Sequence, residues 1–246
     1  MAILDSVGHN LVGFKNARDI GGMLSSRGGA TVRGSVIRSD TPTTSDSQGT
    51  AVLMQTLARV IDLRSVTEAD ALAHPMATNE GYRLRPLIDP RAEARRDPDS
   101  EATLGAVYSG SLGRNAATIA AIMVEIADAP DGTIWISCAS GKDRTGMIIA
   151  MLLRLAGVSD EAIAEDYSRT EHSMREVFAR ELEEAPDDAS RRDRAYLHGA
   201  KAENILQMLE HIDGVYGGVD LYLFTIGLNQ SQVDRLRTRL LKPAKT

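Results

Sequence analysis

Residues 133 to 157 read TIWISCASGKDRTGMIIAMLLRLAG, and no other stretch of the chain restricts the fold so tightly. The opening TIWIS is rich in β-branched and aromatic residues, which suits a buried strand. The closing MIIAMLLRLAG is apolar nearly all round and stops at Gly157, which suits a buried helix with a C′ glycine. A short polar loop joins them and carries Cys138, the one cysteine of the chain. Strand, short loop and helix in that order are the working unit of an α/β fold.

The flanking sequence repeats the alternation. TVRGSVIRSDT (31 to 41) and ARVIDLRS (58 to 65) each hold a β-branched run ending in polar residues, and SDSQGTAVLMQTLA between them reads as a helix capped by Ser45 or Asp46. YRLRPLI is a candidate third strand, which Pro86 places at an edge or an end. AATIAAIMVEIADA (116 to 129) has helical spacing and runs into the turn signal Pro130-Asp131-Gly132. Residues 89 to 104 are charged and proline-containing, with the composition of an exposed loop or a mobile helix. Residues 159 to 212 read as charged-faced helices broken near EEAPDDASRR, and 231 to 242 as a last amphipathic helix. The expected architecture is a central, mostly parallel sheet flanked by helices, with additional C-terminal helices, in one domain spanning 1–246. Segments within 89–112 and 159–200 are placed to flank or cover a pocket.

Composition narrows the function. One cysteine excludes an internal disulfide and a cysteine-rich zinc site. The histidines at 9, 74, 172, 198 and 211 show no metal-binding spacing, so neither metal nor other cofactor is expected. A net charge of −6 argues against nucleic acid held through the global field. No window suits an integral membrane span, and MAILDSVGHN lacks the pattern of a signal peptide, so the expected location is cytoplasmic.

Five residues separate Cys138 from Arg144. A loop of that length at a helix N-terminus can curl until successive N–H groups point inward and form a nest for a tetrahedral oxyanion. Gly141 relieves the bend, and Arg144 offers a planar fork that grips two phosphate oxygens. Such a field lowers a cysteine pKa from roughly 8.5 to about 3.5–7.5 and yields a thiolate nucleophile. Attack on phosphorus then gives a phosphocysteine that water hydrolyses, and Thr145 stands where its hydroxyl can hydrogen-bond the sulfur. A Walker A loop is excluded, since Ile136 precedes Gly141 by five and Asp143 follows Lys142. A thiol-dependent arsenate reductase would need further cysteines. The leaving group needs an acid, for which the chain offers Asp143, Asp62 and Asp89.

In its loop CASGKDRTG the chain resembles the protein tyrosine phosphatase superfamily, in its bacterial tyrosine/dual-specificity branch. NARDIGG (16 to 22), VIRSD, VIDLRSVTE and YGGVDLYLFTIGLNQSQVDRLRTRLL resemble further marks of that branch in order. The resemblance implies hydrolysis of phosphotyrosine, often phosphoserine or phosphothreonine, with phosphorylated proteins or phosphoinositides as partners and no metal. It assigns Cys138 as nucleophile and Arg144 as the phosphate grip. Ala139, Ser140, Gly141, Lys142 and Asp143 become the cradle, and Asp143 and Asp62 the favoured acids. Arg18 and Asp19 are expected as an ion pair supporting the loop.

Bland readings stand beside these roles. Asp62 can pair with Arg64 or Arg38, Asp143 can orient Arg144, and Lys142 can serve either to attract polyanionic headgroups or only to neutralise Asp143. The departure from the family pattern is Ser137, where histidine is usual. That histidine orders the surroundings of the cysteine, so its replacement leaves an alternative function, a phosphate-binding pseudophosphatase module with little turnover.

Overall fold

The computed structural model describes residues 14–41 and 56–241. The helix expected from Ser45 or Asp46 falls mostly on residues outside that range. Among the described residues five strands form one sheet: β1 (Arg18–Asp19), β2 (Val36–Ser39), β3 (Leu57–Asp62), β4 (Tyr82–Leu84) and β5 (Thr133–Ser137). Their order is β1-β2-β5-β3-β4, with β1 antiparallel to β2 and the other pairs parallel. The sheet is therefore mostly parallel, as the alternation of elements implies. TIWIS is its central strand, and YRL an edge strand.

The strand within 31 to 41 is shorter than its run of β-branched residues. Gly34 turns the chain at a φ of 73°, where only glycine is unstrained, and its N–H goes to Asp19 Oδ2 at 2.8 Å rather than to a neighbouring strand. Pairing begins only at Val36.

Side-chain alternation gives the sheet two unequal faces. Val36, Ile61, Ile134 and Ile136 lie in a large apolar core with residues of several of the helices that follow. In chain order these include α3 (Leu104–Arg114), α4 (Ala116–Ala127), α5 (Asp143–Leu155), α6 (Asp160–Ser173), α9 (Ala202–His211) and α11 (Gln230–Leu240), after the short α1 (Val66–Ala71) and α2 (Pro90–Glu93). Helix α5 buries ten of its thirteen residues and contributes about 1.5–3 kcal/mol per large side chain buried. It ends in a Schellman motif: Gly157 N–H donates to Arg154 O at 2.9 Å and Val158 N–H to Leu153 O at 3.0 Å, with Gly157 at a φ of 79°. Among the described residues the second face carries a small cluster, Ile37, Val60, Met76 and Trp135, with Phe14 and Tyr82 packed against it.

Beyond α6 the chain continues through α7 (Arg175–Glu183), α8 (Asp188–His198) and α9, with the expected interruption near EEAPDDASRR. A π-helical turn (Ile212–Tyr216), α10 (Val219–Thr225) and α11 complete it. No helix among the described residues is long and apolar enough to cross a membrane.

Candidate active site

The loop between β5 and α5 is shaped from outside. Thr41 Oγ1 donates to Cys138 O at 3.1 Å and Thr41 N–H to Ala139 O at 3.2 Å. Asn16 Nδ2 donates to Ser140 O at 2.8 Å, and Arg38 Nη2 to Gly141 O at 2.6 Å. Four successive carbonyls are thus tied to the scaffold. In a planar trans peptide the C=O of one residue and the N–H of the next point in opposite directions. The N–H groups of Ala139, Ser140, Gly141 and Lys142 therefore face the other way, into the bowl. Those of Asp143 and Arg144 join them as unpaired donors in the first turn of α5. Gly141 has a φ of 66°, and a Cβ there would lie 2.5 Å from the Ser39 carbonyl carbon, so the bend demands glycine twice over.

Two of the donors that tie these carbonyls, Arg38 and Asn16, are themselves fixed by a buried charge cluster. Asp166 on α6 accepts from Arg18 Nε at 2.6 Å and from Arg38 Nη1 at 2.5 Å. Burial alone would raise the Asp166 pKa, but the two guanidinium groups outweigh it and hold the carboxyl at about 2. Burial, reinforced by Arg38, brings Arg18 down to about 10 despite Asp166. Arg18 Nη1 also holds Asn16 Oδ1 at 2.5 Å, and Asn16 reaches Thr170 Oγ1 of α6 at 3.2 Å. The expected Arg18–Asp19 pair is therefore corrected: Arg18 pairs with Asp166, while Asp19 accepts the N–H groups of Gly21 and Gly34, both at 2.8 Å.

Arg144 is aimed by Glu68. Ser65 and Glu68 form a capping box at the start of α1, in which Glu68 Oε2 accepts the Ser65 N–H at 2.8 Å. The same carboxylate meets Arg144 end-on, Oε2 to Nη1 at 2.6 Å and Oε1 to Nη2 at 2.7 Å. Hydrogen bonding to Arg144 brings Glu68 down to about 2, against the opposing effect of partial burial. Burial would lower the Arg144 pKa, but Glu68 and the charges at Cys138 and Asp143 raise it overall. A guanidinium carries five N–H donors. Two serve Glu68, which leaves Nε–H and the remaining Nη protons for an oxyanion.

Asp143 opens α5 with its side chain 38% exposed, and both of its side-chain donors land on one oxygen. Lys142 Nζ reaches Oδ1 at 2.6 Å, and the Tyr108 hydroxyl donates to the same atom. Oδ2 has no partner among the described residues. Tyr108 also meets the Tyr167 hydroxyl at 2.7 Å, and burial raises both phenol pKa values. Lys142 is itself buried, with its second bond to Gly199 O at 3.2 Å, so its charge answers Asp143 rather than facing solvent.

Asp62 and Asp89 are placed differently. Asp62 is wholly buried, and both oxygens are occupied: Arg64 Nε lies 3.0 Å from Oδ1, while Arg64 Nη2 and the Tyr82 hydroxyl reach Oδ2 at 2.7 and 2.9 Å. It pairs with Arg64, not with Arg38, and has no free atom from which to give a proton to a ligand in the loop. Asp89 caps α2 by accepting the Arg91 N–H at 2.9 Å. Thr145 Oγ1 is buried without a hydrogen-bond partner among the described residues, the sulfur included. Cys138 is 1% exposed and belongs to the main core.

Elsewhere, a cavity of about 1040 Å³ opens near the far end of α5. Its charged walls are largely self-paired, Arg154 with Asp160 and Asp213 and Arg27 with Asp220. No group of three His, Cys, Asp or Glu suited to a metal occurs among the described residues.

Comparison with known proteins matches residues 9–242 to the tyrosine phosphatase family. The chain belongs to that family. It is 32% identical over 157 residues to a tyrosine-protein phosphatase of Nostoc commune, covering 58% of this chain and 50% of the relative. It is 32% identical over 117 residues to the triple specificity protein phosphatase PtpB of Mycobacterium tuberculosis, 42% of each chain. The chain thus spans about half the length of the curated relatives it matches. Family membership fits the fold, in which the loop lies at the carboxyl end of a central parallel strand.

Several residues of the site carry no role in the sequence reading. Glu68 was legible as the fourth residue of a Ser-x-x-Glu capping box within VIDLRSVTE. Asp166, Tyr108 and Tyr167 lie on helices distant in sequence, and no local pattern marks them.

Proposed function

We propose that this chain is a cysteine-dependent phosphatase of phosphotyrosine monoesters, with phosphoserine, phosphothreonine and phosphoinositide esters as further candidate substrates. The observation that carries the reading is the tied loop: four outward carbonyls turn the intervening N–H groups onto one spot beside Cys138 and the Glu68-held fork of Arg144.

In the first step the Cys138 thiolate attacks phosphorus, a P–S bond forms, and the ester P–O bond breaks. The leaving oxygen takes a proton from Asp143, for which Oδ2 is the available atom because Lys142 and Tyr108 both serve Oδ1. The cradle and Arg144 stabilise the charge that builds on the equatorial oxygens. In the second step water attacks phosphorus and gives its proton to Asp143. The P–S bond breaks, and inorganic phosphate leaves with the thiolate restored. Asp62 is left out of this scheme, since Arg64 and Tyr82 saturate it.

The test is hydrolysis of p-nitrophenyl phosphate by the native chain and by Cys138→Ser, without metal and with reductant. Activity that disappears in the variant supports the phosphocysteine route. A native chain that binds phosphate without turnover would establish the binding module instead.

A further inference from the structure

One buried titratable group next to the site has no part in the mechanism above. His74 lies between α1 and β4, is 2% exposed, and places Nε2 3.3 Å from Ser137 Oγ, the residue immediately before Cys138. Its ring is wedged edge-on against Trp135, centroids 5.3 Å apart, and lies 5.6 Å from the ring of Tyr82. The tautomer follows from the hydrogen bonds. Met76 N–H donates to Nδ1 at 3.0 Å, so Nδ1 holds the lone pair and Nε2 the proton, which goes to Ser137 Oγ. The charged and titratable groups facing the ring are Asp62, Arg64 and Tyr82. Burial outweighs the attraction of Asp62, Arg64 acts with burial, and the ring is held neutral down to about pH 4. One tautomer and one hydrogen bond therefore persist across the range in which a phosphatase of this kind would work.

The bond falls where the strand becomes the loop. Ser137 is the last residue of β5, in register with Ser39 and Asp62, and its carbonyl accepts Leu63 N–H at 2.8 Å. The next carbonyl, of Cys138, is held by Thr41. Alternation puts the Ser137 side chain on the face opposite Ile136, so His74 pins from the small face a strand whose other side is fixed by the main core. We propose that His74 is a positioning residue for Cys138, its imidazole holding the last strand peptide through Ser137 Oγ so that the thiol is presented to the inward N–H groups. A histidine supplied from a distant loop thus stands behind the serine. The proposal rests on Cys138 being the reactive thiol.

The experiment follows the alkylation rate of Cys138 by iodoacetate in mildly acidic buffer, with kcat and KM for p-nitrophenyl phosphate and the melting temperature. Four proteins are compared: native, His74→Ala, His74→Gln and the exchange His74→Ser with Ser137→His. The expected result is that His74→Ala slows alkylation and lowers kcat by about tenfold, the lower end of what outer-shell partners of metal ligands contribute, with KM little changed. His74→Gln, which keeps a donor, and the exchange, which returns an imidazole to the strand end, recover most of the loss. The proposal is overturned if His74→Ala alkylates and turns over at the native rate per folded molecule, or if the glutamine and exchange proteins stay as impaired as the alanine. Should His74→Ala fail to fold, the last two proteins decide alone. Alkylation needs no turnover, so hydrolysis persisting in Cys138→Ser would remove the phosphocysteine scheme and still leave the role of His74 to this measurement.

Discussion

The back of the loop and its rim are both built from ion pairs, yet the two differ in kind. Behind the loop, Arg18, Arg38 and Asp166 are almost fully enclosed, and the two arginines, paired with Asp166, donate to backbone carbonyls. At the rim, Glu68 and Arg144 are 36% and 20% exposed at the side chain, and Asp143 is 38% exposed. Buried pairs whose partner is removed cost far more than exposed ones, because the remaining charge cannot be hydrated. The buried pairs thus fix the geometry of the loop, and the more exposed pair stands at its rim.

The largest expected effect tests the buried half. Asp166→Ala leaves two guanidinium groups without their counter-charge and should destabilise the fold by about 3–5 kcal/mol, read from urea denaturation. Close behind, Arg144→Lys removes the planar fork. It should lower kcat for p-nitrophenyl phosphate by about 10²–10³-fold while shifting the melting temperature little. A mutant pair in which both losses appeared as instability would erase the distinction between back and rim.

A pH experiment probes the support on the small face. His74 titrates near 6.5 when unfolded and at about 4 when folded. Above the unfolded value both states are neutral. As pH falls from there, the unfolded chain takes up a proton that the folded chain refuses, so stability drops by about 3 kcal/mol across the window. His74→Gln should flatten that part of the profile, and a slope unchanged by the substitution would place the acid sensitivity elsewhere. The smallest effect is expected at the rim, where Glu68→Gln should change stability by less than about 1 kcal/mol. The same variant should still slow turnover, because Arg144 loses its alignment. A stability loss rivalling that of Asp166→Ala would show that Glu68 belongs with the buried group.

Local chemistry made part of this legible from sequence. TIWIS, the glycine-bearing loop and the apolar helix to Gly157 each follow short-range rules, and so does the helix expected at 116 to 129, which is observed at Ala116–Ala127. The five-residue spacing of Cys138 and Arg144, on which the proposed site rests, is likewise a local feature. What could not be read were partners brought together by the sheet and by α6. Arg18 meets Asp166 across 148 positions and Asn16 meets Ser140 across 124, distances over which no periodicity carries information. Asp62 shows the converse. Its place beside Arg64 in IDLRS suggested either an acid or an ion pair, and burial with Tyr82 as a third member put it in the pair.

The position of β5 as the third of five strands has a consequence for motion. Its amides are screened by hydrogen-bonded neighbours on both sides, and such amides exchange with deuterium only when the whole sheet comes apart. Cys138 follows the end of that strand, so the loop hangs from an element held by neighbours on both sides. Warming should therefore inactivate the molecule at its unfolding transition, with no earlier loss from loosening of the loop alone.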